Sequence, residues 1–109
     1  DTQKKQRKYQ KTSCKKKVNQ HIGDSVAYDF NAFCKEGFID FAFIDGGHSY
    51  ECVRSDTENV MKILAPNAIV MWHDFTPDFH GVFTYLNEIS SRYPLIQITG
   101  TNLVYYIKQ

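Results

Sequence analysis

Apolar residues along this chain recur with two periods. Val26, Ala27, Phe30, Phe33 and Cys34 follow the 3.6-residue repeat of a helix face, behind a turn at Gly23-Asp24-Ser25 in which Asp24 or Ser25 can serve as the cap. Lys35-Glu36-Gly37 ends that helix. Phe38 to Ile44 is nearly continuous in apolar character, the signature of a strand covered on both faces. Ser49 can cap a second helix that carries Tyr50, Val53, Val60, Met61 and Leu64 on one side and stops at Ala65-Pro66-Asn67. Another apolar strand, Ala68 to Trp72, follows. Thr76-Pro77 reads as a helix start, where the missing proline N–H costs nothing, and Phe79, Val82, Phe83, Leu86 and Ile89 then line one face. Val18 to Ile22 makes a short strand before all of these. At the far end, Leu95 to Ile98 and Leu103 to Ile107 flank Thr99-Gly100-Thr101-Asn102 and read as an antiparallel hairpin. Right-handed crossovers assemble this order into an α/β fold, a parallel sheet with an antiparallel edge.

Both central strands break off in polar residues. Ile44 is followed by Asp45, Gly46, Gly47 and His48, and Trp72 by His73 and Asp74. In open α/β sheets ligands lie beyond the carboxyl ends of the strands, so two parallel neighbours would deliver Asp45, His48, His73 and Asp74 to one crevice. A loop hydrogen-bond pair is the plainer account of His73-Asp74, and His21 and His80 read as surface or core histidines. A metal hydrolase built on the four strand-end residues would lack a further His or Glu at helix spacing.

Charge divides the chain into two parts. Residues 1–17 hold eight Lys/Arg and one acid, Asp1, whereas residues 18–109 hold five Lys/Arg and eleven acids. The first part reads as a basic helical arm over residues 1–17, attached to a domain at 18–109. Only Tyr9 interrupts its lysines, so it lacks the aromatic interleaving of single-strand nucleic-acid binders, and no apolar stripe fits it to a membrane surface. A solvated helix is the simpler account, and nucleic acid is not an expected partner. No apolar run approaches the roughly 20 residues needed to span a bilayer, and nothing at the N-terminus resembles a secretory segment, so a cytoplasmic location is expected. The three cysteines lack metal-ligand spacing; Cys34 and Cys52 read as small buried hydrophobes.

Taken together, Phe43 to Glu51, Asp56, Leu64 to Asp74 and Gly81-Val82 resemble the C-terminal half of class I S-adenosylmethionine-dependent methyltransferases, over about residues 18 to 109. The subgroup has the Ile-Asp-Gly-Gly-His-Ser-Tyr-Glu strand end and includes small-molecule O-methyltransferases. The resemblance implies a Rossmann-like sheet and methyl transfer from S-adenosylmethionine to an oxygen of a small-molecule substrate. It implies that Asp1 stands where the ribose hydroxyls are held, that Asp24 and Ser25 approach the adenine, and that Asp45 and Gly46 reach the cofactor at the methyl-transfer site. An imidazole suits the task of stripping the acceptor's proton at neutral pH, with His48 first and His73 second. Some relatives instead use Mg²⁺ held by strand-end carboxylates, here Asp45 and Asp74.

Two departures bear on these expectations. The usual Gly-Gly before the family's fifth strand is Asn67-Ala68, which Asn tolerates because it accepts a left-handed backbone. The chain also opens in a charged segment, where the family has a first strand and a glycine-rich loop around the cofactor's methionine moiety. An N-terminally truncated domain is the resulting expectation, with weak cofactor binding by this chain alone and an exposed sheet edge that invites homo-oligomers. The competing function is a noncatalytic fragment acting as an oligomerisation or binding module.

Overall fold

The computed structural model describes residues 36–109. The expected strand at Val18 to Ile22, the helix over residues 26–34, the basic arm and its boundary at residue 18, and three expected cofactor contacts, Asp1, Asp24 and Ser25, lie outside the described residues. The rest forms a compact α/β unit with a mixed four-stranded sheet. Its elements are β1 (Ile39–Ile44), α1 (Tyr50–Met61), β2 (Leu64–Trp72), α2 (His80–Ile89), β3 (Ile96–Gln97) and β4 (Val104–Ile107). The sheet order is β1-β2-β4-β3. β1 and β2 are parallel, while β4 lies between β2 and β3 and is antiparallel to both. Among the described residues no helix is long and apolar enough to cross a membrane.

Both helices cover the same face of the sheet. Ile44, Val70, Trp72 and Val104 point from the strands into a core that Val53, Val60, Val82, Leu86 and Ile89 complete from the helices. Burying a residue such as Leu86 or Val70 contributes about 1.5–3 kcal/mol. Trp72 is wholly buried, and its indole N–H donates to the Thr57 hydroxyl of α1 at 2.9 Å, satisfying the one polar atom that its ring brings inside. Tyr85 joins this core beside Leu86, a position the sequence pattern left off the apolar face.

Two element boundaries differ from the sequence expectation. Ala65-Pro66-Asn67 does not end a helix; α1 stops at Met61 and these residues belong to β2. Ile39 pairs with Leu64 but Phe41 pairs with Ile69, so β2 holds three residues more than β1 over that interval. They are taken up in a bulge where Pro66 has no ladder N–H to offer and Asn67 adopts φ 66°. The Asn67 amide donates to the Lys108 carbonyl, and the Lys108 amide to the Ala68 carbonyl, which ties the bulge to the end of β4. The second difference is at α2, which begins at His80 and not at Thr76-Pro77. Phe79 N–H donates to the Thr76 carbonyl and closes a turn first, so Pro77 lies inside the turn.

The face of β1 opposite the helices is open. On it Phe41 and Phe43 are 56% and 49% exposed, against the expectation that this strand is covered on both sides, and Phe38, just ahead of the strand, is 68% exposed. Among the described residues both helices lie on the other face, and the residues expected to supply a further helix, 26–34, fall outside them.

The two helices meet almost backbone to backbone. A Cβ placed on Gly81 would stand 2.4 Å from the Tyr50 amide nitrogen and 2.5 Å from the His48 carbonyl oxygen, so only glycine allows this approach. Gly81→Ala should therefore push α2 away and cost about 1–3 kcal/mol in urea unfolding. An unchanged midpoint would mean that the helices are not in this contact.

Farther along the same helix pair, the Tyr50 hydroxyl donates to Glu88 Oε2 at 2.5 Å. That hydrogen bond, with burial and the adjacent carboxylate charge, raises the phenol above its ordinary value near 10. The bond's contribution is complete below that ordinary value and lost as the pH rises through the raised one. In Glu88→Gln the Tyr50 ring resonances should titrate at lower pH than in the native chain; titration at an unchanged pH would exclude the pairing.

Candidate active site

β1 and β2 end level, with Ile44 beside Trp72, and one further ladder bond runs from the His73 amide to the Ile44 carbonyl at 3.2 Å. Beyond that point the two segments leave the sheet at one edge, so Asp45 and His73 emerge side by side. Asp74 has φ 65°, a left-handed backbone that Asp tolerates better than most residues. The flanking amides hold it there: Thr76 N–H donates to the Asp74 carbonyl at 2.9 Å, and Phe75 N–H to the Asn102 carbonyl at 3.0 Å.

In this position the Asp74 carboxylate takes an imidazole on each oxygen. Oδ2 lies 2.8 Å from His48 Nε2, and Oδ1 lies 2.8 Å from His73 Nδ1. Its side chain is 14% exposed, far less than the two rings it joins. Asp45 Oδ1 stands 3.6 Å from His73 Nδ1, within ion-pair reach and beyond a hydrogen bond. With both rings neutral, donation to Asp74 puts the protons on His48 Nε2 and His73 Nδ1. His48 Nδ1 and His73 Nε2 then carry the free lone pairs. Each ring is a base whose orientation a carboxylate fixes.

His48 is held on two more sides. The Phe79 ring packs against it at a centroid distance of 4.0 Å and a tilt of 31°, and Gly81 lies against its carbonyl. The preceding loop lies close over α1: a Cβ on Gly47 would be 2.9 Å from Cys52 Sγ, and one on Gly46 would be 3.1 Å from Asp56 Oδ2. Ser49 caps α1 by accepting from the Cys52 amide at 3.1 Å. A shallow recess results, with Ile44, Val53 and Val82 among its apolar lining and Asp45, His48, His73 and Asp74 as its polar groups.

The structure thus brings together five of the residues singled out from sequence: Asp45, Gly46, His48, His73 and Asp74. Sequence reasoning read Asp74 as a metal ligand or as the partner of His73 in a loop hydrogen bond; the 2.8 Å contact matches the second reading, but the bond of the same carboxylate to His48 was not foreseen. It also placed Phe79 simply on an apolar helix face; its neighbours Thr76 and Pro77, both turn formers, were the available sign that it stands outside the helix.

Over residues 1–75 the sequence matches the methyltransferase domain family. The chain belongs to that family. The match runs through Asp74 and ends at Phe75, so it takes in both polar strand ends, while α2, β3 and β4 lie beyond it. The chain is also similar to the uncharacterized protein y4gI of Sinorhizobium fredii, with 28% identity over 80 residues. That alignment covers 69% of this chain and 9% of the relative, so the chain spans only a small part of that curated protein's length. Membership in the methyltransferase domain family makes methyl transfer the general chemistry of the domain and S-adenosylmethionine the general methyl source.

The strained backbone at Asp74 and its side-chain bonds can be separated by mutation. Asp74→Ala removes both imidazole partners and keeps a Cβ at positive φ, whereas Asp74→Gly removes the partners and relieves the backbone. The glycine variant should be more stable than the alanine variant by about 1 kcal/mol in urea unfolding. Equal stabilities would show that the left-handed turn is not populated.

Proposed function

We propose that the intact protein methylates an oxygen of a small-molecule acceptor, with His48 as general base. The observation that carries this reading is the 2.8 Å pairing of His48 Nε2 with Asp74 Oδ2, which leaves Nδ1 as the free base at the end of β1. S-adenosylmethionine, when bound, supplies a methyl group made electrophilic by its sulfonium. The described residues suit the sulfonium end of that cofactor in chemistry, since the Asp45 and Asp74 carboxylates beside apolar Ile44, Val53 and Val82 favour a cationic, methyl-bearing centre. Asp45 and Gly46 would face it, with Asp24 and Ser25 toward the adenine and Asp1 toward the ribose.

The chain's own part is then proton handling and orientation. The acceptor hydroxyl would give its proton to His48 Nδ1 as its oxygen takes the methyl group, the bond from that carbon to sulfur breaking and S-adenosylhomocysteine leaving as the neutral thioether. The Asp74 carboxylate stabilises the resulting imidazolium, and Phe79 keeps water from one face of the ring. An oxygen acceptor suits this site because a hydroxyl must lose a proton and a base stands ready to take it.

Mg²⁺ is a further part of the reading. Asp45, His73 and Asp74 each offer one ligand atom, all within 4.8 Å of one another, and two carboxylates suit a hard cation. A bound cation would lower the acceptor's hydroxyl pKa. His73 would have to give up its Nδ1 proton or ligate through Nε2, which leaves His48 as the base in either case.

A second reading is favoured by the open phenylalanine face. Among the described residues β1 has a neighbour on one side only, and Phe41 and Phe43 stand exposed on one of its faces. A noncatalytic module that self-associates through this edge accounts for that surface without any catalysis. Calorimetry with S-adenosylhomocysteine distinguishes the two, because a pure association module gives no binding heat.

In the intact protein His48→Ala should lower turnover about 10²-fold or more while cofactor affinity stays close to native. Steady-state kinetics beside a calorimetric titration checks this. Undiminished turnover would move the role to His73 or to a metal.

A further inference from the structure

Asp56 presents a problem that neither the fold nor the proposed chemistry answers. It lies on the inner face of α1 with Val53, Thr57 and Val60, where the helix period calls for an apolar residue. It is 8% exposed, and among the described residues no group donates to its Oδ1. A carboxylate buried without a partner is costly, and replacing such a group by an apolar one is often neutral or stabilising, so its presence calls for a reason beyond packing.

What lies against it is the site loop. The Cα–Cβ direction of Gly46 points at Asp56 Oδ2, 3.1 Å from where a Cβ would be. Among the described residues the Gly46 and Gly47 amides donate to no acceptor in the protein. A buried carboxylate with one oxygen lacking a donor thus lies against Gly46, on the segment that carries Asp45 at one end and His48 at the other.

We propose that Asp56 is a positioning residue: its carboxylate receives the Gly46 and Gly47 amides when a divalent cation draws Asp45 toward His73 and Asp74, and so fixes the loop in its working position. This rests on the cation reading of the strand-end cluster given above. Occupancy of Asp45 fixes one end of the loop, and the Phe79 stack and Gly81 contact hold the other at His48. The intervening glycines are free to turn their amides inward, where Asp56 supplies the acceptor. A methyl group at position 46 would lie 3.1 Å from Asp56 Oδ2, so the carboxylate would have to give way by a few tenths of an ångström.

The test uses the full chain and MgCl₂ as probe, with calorimetry for affinity and amide resonances for the loop. In the native chain Mg²⁺ should move the Gly46 and Gly47 amide protons downfield and slow their exchange with water. Asp56→Asn keeps the shape and removes the charge; it should lose that response and bind Mg²⁺ about tenfold more weakly, the scale of one charge-assisted hydrogen bond. Gly46→Ala should lose the response with Asp56 intact. Thermal unfolding of Asp56→Asn at or above the native temperature separates positioning from a structural role. Native Mg²⁺ affinity and an intact amide response in Asp56→Asn would overturn the proposal while leaving the cation site standing. No Mg²⁺ binding by the native chain would overturn both.

Discussion

The parallel register of β1 on β2 is the constraint on which the candidate site depends, and a bulge sets it. The two strands begin with Ile39 beside Leu64 and finish with Ile44 beside Trp72, because three additional residues of β2 are taken up around Pro66 and Asn67. Had the ladder run on without them, Ile44 would stand beside Ile69 and His73 would lie three residues, about 10 Å, past Asp45. The bulge is held in turn by Lys108, whose backbone pairs with Asn67 and Ala68 and whose ammonium group donates to the Leu64 carbonyl at 3.0 Å. The C-terminal strand thus fixes the foot of β2, and through it the level at which the catalytic candidates emerge.

At the other end of the strands the organising group is a carboxylate. Asp74 is the least exposed of the four polar residues and the one that contacts both imidazoles. Its left-handed backbone turns the side chain toward the β1 loop, and its two oxygens divide the histidines, Oδ2 to His48 and Oδ1 to His73. This gives the two rings different company. His48 has an aromatic ring and a helix start beside it, while His73 has Asp45 and Phe43. The first environment suits a base with one defined face, and the second suits a ligand cluster.

The helices contribute by closeness more than by bulk. Gly81 lets α2 start against the backbone of His48, Ser49 and Tyr50, so the loop after β1 is confined between α1 beneath it and α2 beside it. A loop held at both sides in this way keeps His48 in place, while the two glycines ahead of it retain backbone freedom.

Much of this was legible in the residues. The apolar runs ending in Asp45-Gly46-Gly47-His48 and His73-Asp74 marked two strand ends and their chemistry, Ser49 marked a helix cap, and the spacing marked α1 as the crossover between parallel strands. These are local signals, set by side-chain period and turn chemistry. The limits of β2 and α2 were not legible, because Ala65-Pro66-Asn67 and Thr76-Pro77 carry the same turn preferences whether they end a helix, bulge a strand or close a turn. Their outcome depended on partners distant in sequence, Lys108 for the bulge and the His48 ring for Phe79. The joining of His48 and His73 through Asp74, and the placing of Asp56 under Gly46, were likewise decided by tertiary structure alone. Sequence determines which groups are available and on which elements they ride; which of them share a hydrogen bond is settled only when strands far apart in the chain come into register.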